Sequence, residues 1–123
     1  MILGIGIDIQ EISKIDIDLE HEAFLRRIFT QDEINHCRAQ SQPAECFMGR
    51  FTAKEAFMKA LGAGIHQGIE FTDIEVLSQP SGAPVIKVHG LAKQQSEALG
   101  AIAVHLSISH SGNIATAVVI IER

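Results

Sequence analysis

Asp8, Glu55 and the cations grouped around Glu55 are the residues of this 123-residue chain whose types and spacing could do chemistry. The block GRFTAKEAFMKALGAG occupies positions 49–64. At helical spacing Phe51, Glu55 and Lys59 fall in one row and Arg50 and Lys54 in the adjacent row. One carboxylate is thereby set among three cations on about one face. A Glu-to-Lys pair at this spacing stabilises a helix by about 0.2–0.5 kcal/mol, which accounts for Glu55 and Lys59 without any function. It does not account for Arg50 and Lys54 crowding the same surface, a grouping suited to a phosphate-rich ligand. Asp8 follows GIGI at the end of an apolar run, where a buried carboxylate is costly unless paired, hydrogen-bonded or bound to metal. It could simply accept from backbone amides of the next turn. If it meets Glu55 instead, two carboxylates without dedicated His or Cys ligands describe an oxygen-ligated hard cation. Mg²⁺ fits that description, with waters and a substrate phosphate completing its shell.

Other reactive residue types form weaker patterns. His21, His36, His66 and His89 show no spacing suited to zinc. His105 shares a strand face with Ser107 and Ser109, which permits a nucleophile and base, but polar residues on the exposed face of a hairpin explain it better unless that face closes over a site. Cys37 and Cys46 have no cysteine partners for a metal site and read most simply as reduced thiols.

These residues need elements to place them. Met1 to Ile9, with Gly4 and Gly6 among β-branched residues, suits a buried strand whose backbone another element approaches closely. Phe24, Leu25 and Ile28 give a short amphipathic helix over 20–29, with Arg26 and Arg27 on its other side. Thr30 and Glu33 form a capping box that starts a second helix running toward Ala39. Ser41 to Pro43 breaks the chain. A long helix then covers about 44–61, its apolar face carrying Phe47, Phe51, Met58 and Leu61, with Gly62 and Gly64 after its end. Strands follow at 71–77 and 84–88 around a turn at Pro80, Ser81 and Gly82, then a helix over 91–99 stopped by Gly100. In 101–109 Ile102, Val104, Leu106 and Ile108 alternate with His105, Ser107 and Ser109. A turn at Ser111, Gly112 and Asn113 leads into a last strand at 114–121. The class is α+β, a mostly antiparallel sheet with helices packed on it.

Composition narrows the setting. Hydrophobic residues at 46% and charged residues at 20% describe a folded globular chain, and its length predicts a single domain spanning 1–123. The net charge of −5 argues against general affinity for nucleic acid or an anionic membrane. Six of the ten basic side chains nevertheless lie between positions 26 and 59, while residues 1–20 hold Asp8, Glu11, Asp16, Asp18 and Glu20 against Lys14 alone. Such clustering fits either solvated helix faces or a local site for an anion or an acidic protein. The apolar runs fall short of a bilayer span, and no basic-then-apolar leader opens the chain, so a reduced, cytoplasmic protein is expected.

Three segments, GIGIDIQEISKI at 4–15, GRFTAKEAFMKALGAGI at 49–65, and VHLSISH at 104–110 with AVVIIER at 117–123, resemble the holo-acyl-carrier-protein synthases. These are the short members of the 4'-phosphopantetheinyl transferase superfamily. The likeness runs in order through essentially the whole chain, and the central block is its most specific part. The resemblance implies that fold, and transfer of 4'-phosphopantetheine from coenzyme A to a serine of apo acyl carrier protein, releasing adenosine 3',5'-bisphosphate. It also implies Asp8 and Glu55 as Mg²⁺ ligands, with Glu55 and Lys59 catalytic and Lys59 stabilising the leaving phosphate. Arg50, Lys54, Lys59, Gly62, Gly64 and His105 would line the coenzyme A site. Phe24, Arg26 and Arg27 would dock the acidic carrier. A homotrimer with sites between subunits is implied as well. Lys14, Ala23, Gln42 and Pro43 depart from the pattern, at positions bearing on carrier affinity and 3'-phosphate binding.

Two other readings share some of these features. A non-catalytic module could hold coenzyme A or an acidic protein on the same basic patch, but it would have no need of Asp8 and Glu55. A different Mg²⁺-dependent phosphotransferase would have to work without the G-x-x-x-x-G-K-[ST] phosphate loop, which the chain lacks.

Overall fold

The computed structural model describes residues 1–15 and 20–123, so Asp16 and Asp18 of the acidic segment lie outside the described residues. Strand β1 (Ile2–Glu11) is followed by helices α1 (Glu22–Ile28), α2 (Gln31–Arg38) and α3 (Pro43–Leu61). Then come β2 (Ile74–Ser78), β3 (Pro84–Val88), α4 (Gly90–Leu99), β4 (Ala103–Ser111) and β5 (Ile114–Glu122). A three-stranded sheet has the order β1-β5-β4, β2 and β3 form a separate hairpin, and all three described strand pairings are antiparallel. The α+β class is as expected. No helix among the described residues is long and apolar enough to cross a membrane.

Helix α3 is the centre of the packing. Pro43 opens it at a position where the missing N–H costs nothing, and Gly62 closes it at φ 77°, a conformation that favours glycine. Its side chains are buried nearly all round, serving two clusters. Ala53, Ala56, Phe57 and Ala60 pack with Ile74, Val119 and Ile121, while Phe47 and Met48 pack with Leu25, Phe29 and Ile34. The Thr30–Glu33 capping box forms as expected.

β1 lies directly on α3. A Cβ on Gly4 would sit 1.9 Å from the Ala60 carbonyl oxygen, and one on Gly6 1.9 Å from that of Ala56. The expected close approach is therefore real. The expected burial is only half so, because β1 is an edge strand whose alternate residues Ile5, Ile7 and Ile9 are more than 60% exposed. Register extends this outer face across the sheet: Ile5 and His105 pair with Ile120, and Ile7 and Ser107 pair with Val118.

Three further expectations change. Residues Phe71–Asp73 form a 3-10 turn, closed by the Glu70 N–H donating to Asp73 Oδ2, and the strand starts only at Ile74. Ile102 precedes β4 and is exposed, so only Val104, Leu106 and Ile108 of its row face the core. Cys37 and Cys46 are not reduced thiols but a disulfide joining α2 to α3, with Cα atoms 5.4 Å apart. The break before Pro43 folds α3 back beside α2, which brings together two sulfurs nine residues apart in sequence.

A buried polar network ties α2, α3 and β2 together. Lys54, fully enclosed, donates to Glu33 Oε1 at 2.8 Å and to the carbonyls of Ile74 at 2.6 Å and Phe71 at 3.0 Å. Glu33 also accepts from the N–H groups of Thr30 and Val76. Glu75 accepts from Thr30 Oγ1 at 2.7 Å and lies 3.0 Å from His89 Nε2. Burial pushes the Lys54 ammonium below its ordinary range, and the charge and hydrogen bond of Glu33 oppose that shift.

Gly6→Ala should lower unfolding free energy by about 1–3 kcal/mol or more through overpacking against α3, read by denaturant titration. An unchanged midpoint would contradict the contact. In the same assay Lys54→Met should cost about 3–5 kcal/mol, because it strands the Glu33 carboxylate. A loss below about 1 kcal/mol would show that the network is not structural.

Candidate active site

Period-two alternation on β1 points Gly4, Gly6, Asp8 and Gln10 at α3, and the two glycines let the strand close enough for the acid to reach helix side chains. Asp8 is buried. Its Oδ1 accepts from Lys59 Nζ at 3.0 Å and its Oδ2 from Gln10 Nε2 at 2.9 Å. Its side-chain partners are thus these two side chains, rather than the backbone amides that the sequence left open. Lys59 Nζ donates as well to the Ile7 carbonyl at 3.0 Å, which fixes the ammonium against the strand while leaving it half exposed.

Glu55 stands one helical turn before Lys59. Burial raises its carboxyl above the ordinary glutamate range, the Asp8 charge raises it further, and Lys59 opposes both. Two carboxylates therefore act on each other beside one lysine, the meeting that the sequence left conditional. Two acids facing one cation leave a net negative pair that a small hard cation satisfies, so this donor set fits Mg²⁺ held by one or two carboxylates with other oxygens. Among the described residues no cluster of three or more His, Cys, Asp or Glu offers an all-protein cage.

A groove of about 420 Å³ is lined by Glu55, Lys59, Gly62, Gly64 and His66. This assembles four of the residues singled out in the central block. Ile65 lines both this groove and a larger one of about 790 Å³ formed by Phe24, Arg26, Arg27, Ile69 and Phe71. The α1 hollow and the Glu55–Lys59 groove are thus neighbours with Ile65 between them. Arg26 lies 3.8 Å from Glu22 as an exposed pair, and Arg38 pairs with the same carboxylate.

Arg50 belongs elsewhere on the same helix. It lines a cleft of about 330 Å³ with His36, Gln42, Cys46, Ser78 and His110. One Arg50 amine donates to Ser78 Oγ at 3.1 Å, while its buried Nε has no partner. Burial pulls the guanidinium below its ordinary value, partly offset by Glu33. His110 at the rim is 3.0 Å from Glu45.

Lys54 is the correction to the expected ligand-binding set. It is buried in the Glu33 network and lines none of the three clefts, because a helix enclosed on nearly every side turns adjacent rows toward different neighbours. His105 is on the outer face of the sheet, 3.1 Å from Glu122, opposite the face that carries Asp8. Within one chain it does not join the acids. Gln10 and Ile65 were not anticipated. Gln10 was detectable in principle, since it sits two residues from Asp8 on the same strand face. Ile65 carries no local signal.

Comparison with known proteins identifies the family. A profile described as the 4'-phosphopantetheinyl transferase superfamily matches residues 4–119. The holo-[acyl-carrier-protein] synthase of Trichlorobacter lovleyi is 47% identical over 124 residues, covering 99% of this chain and 98% of that protein. The crystal structure of the Neisseria meningitidis holo-[acyl-carrier-protein] synthase superposes with a TM-score of 0.89 at 33% identity, covering all of both chains. The Helicobacter pylori synthase, crystallised in complex with coenzyme A, gives a TM-score of 0.83 at 32% identity, covering 96% of this chain and 99% of that one. The family profile over 4–119 and the relatives matched along nearly the whole length place this chain in the 4'-phosphopantetheinyl transferase superfamily.

Proposed function

We propose that the protein is a holo-[acyl-carrier-protein] synthase, moving 4'-phosphopantetheine from coenzyme A to a serine of apo acyl carrier protein and releasing adenosine 3',5'-bisphosphate. The observation that carries this reading is that Glu55 and Lys59 line one groove while Asp8 is bonded to Lys59 and its charge acts on Glu55, with Ile65 shared between that groove and the α1 hollow. Related proteins bearing the synthase name, one of them crystallised with coenzyme A, support it. The whole of 1–123 acts as one domain in this account.

Asp8 and Glu55 are the residues that would hold Mg²⁺. Bound there, the ion supplies charge neutralisation for a pyrophosphate. Lys59, fixed by Asp8 and the Ile7 carbonyl but half exposed, offers its remaining hydrogen to a phosphate oxygen on which charge builds as the β-phosphorus is attacked in line by the serine hydroxyl. Gly62 and Gly64 leave the end of α3 open for close approach of the donor. Arg50, whose guanidinium lines the cleft of about 330 Å³, is suited to a phosphate of the nucleotide half. Phe24, Arg26 and Arg27 offer an apolar and cationic landing for an acidic carrier.

The exposed row of Ile5, Ile7 and Ile9, continued by Val118 and Ile120, supports a homotrimer that covers this face. His105 lies on the same face, so it would serve a site shared between copies. Coenzyme A is too highly charged to cross a bilayer unaided, and we place its use by this protein in the cytoplasm.

The test is turnover of apo carrier with coenzyme A and Mg²⁺, read by mass spectrometry. Glu55→Gln should abolish the pantetheinyl adduct while thermal unfolding stays near wild type; unchanged turnover would remove Glu55 from the site. Arg27→Glu should raise KM for the carrier about tenfold, near 1.4 kcal/mol, and leave KM for coenzyme A largely alone. Equal effects on both constants would refute docking on α1. Tight coenzyme A binding by wild type without any adduct would favour the non-catalytic module.

A further inference from the structure

The Arg50 cleft holds a group that the transfer reaction does not use. Cys46, on the first turns of α3, lines the cleft, and its sulfur is 3.5 Å from an Arg50 amine. Its disulfide partner Cys37 is fully buried on α2. The same guanidinium reaches Ser78 Oγ and lines the cleft, which places its charge beside whatever enters. Among the described residues, the only acidic side chain lining the cleft is Glu45, which is paired with His110. In the disulfide Cys46 is neutral. As a free thiol it would be ionisable within hydrogen-bond reach of a guanidinium, the setting that favours thiolate.

We propose that Cys37 and Cys46 form a reversible redox site whose state sets the charge available at Arg50, and hence the affinity for the phosphorylated donor. This inference rests on the proposed role of Arg50 toward coenzyme A. Reduction by a dithiol proceeds through a mixed disulfide. One reductant thiolate attacks a sulfur of the bridge and expels the other cysteine as thiolate; the reductant's second thiolate then attacks its own first sulfur and expels the remaining cysteine. The reductant leaves as a disulfide, having given two electrons, and two protons complete the thiols of Cys37 and Cys46. Cys46 then ionises beside Arg50 and forms an internal ion pair that competes with the ligand's phosphate. Disulfides in a reducing compartment are commonly transient and redox-sensing rather than structural, which fits a bridge bordering a ligand cleft. The oxidised form is the tight-binding one.

The experiment compares oxidised and dithiothreitol-reduced protein, with redox state verified by alkylation and mass. Its readouts are kcat, KM for coenzyme A, and the calorimetric Kd for adenosine 3',5'-bisphosphate. Reduction should raise KM and Kd about tenfold, near 1.4 kcal/mol, with kcat within about twofold. Cys37→Ser, which leaves Cys46 free, should show the weak values in both conditions. Cys46→Ser should lose the redox dependence and keep the tight values, although it too lacks the crosslink. Equal constants in both redox states, or Cys46→Ser behaving like reduced protein, would overturn the charge mechanism. Arg50→Ala separates the two levels. If it weakens donor binding and reduction does not, the redox inference alone fails; if it leaves donor binding intact, the reading of Arg50 fails and takes the inference with it.

Discussion

A strand resting backbone to backbone on a helix is the contact on which the rest of this molecule depends. Gly4 and Gly6 have no Cβ to hold β1 away from the carbonyls of Ala56 and Ala60, and Asp8 is carried inward as a consequence. A one-residue slip would send Asp8 to the outer face and turn an isoleucine onto α3. The antiparallel register with β5 prevents that slip, pairing Asp8 with Ala117 in the middle of a nine-residue strand. Sheet pairing therefore aims the acid, and the glycines set its depth.

Helix α3 divides its polar residues between two tasks. Glu55 and Lys59 turn toward β1 and build the candidate reaction centre, whereas Lys54 is consumed by the fold, holding α2 and β2 through Glu33. Arg50 sits between these roles, bonded to Ser78 yet lining an open cleft. Such a helix cannot be read by amphipathicity, since its environment changes from one face to the next.

That division explains what was legible beforehand. The capping box at Thr30, the glycine stop after Leu61 and the tight turn of the terminal hairpin are local, so their residues announce them. Asp8 beside Glu55 could be argued from the cost of burying a lone carboxylate. The inward turn of Lys54 could not, because its reason is the carboxylate of Glu33, 21 positions away. The Cys37–Cys46 bridge was hidden by the same kind of distance, since only the fold-back of α3 on α2 brings the sulfurs together. Nor does alternation in β1 reveal that its isoleucine face is left for another surface to cover.

The most direct measurement is a crystal structure of the protein with coenzyme A and Mn²⁺ in place of Mg²⁺, analysed by anomalous scattering. The account predicts a peak within coordination distance of the Asp8 and Glu55 carboxylates, with the Lys59 ammonium beside the donor's phosphates. A peak bound by neither acid, or phosphates seated away from Lys59, would contradict it.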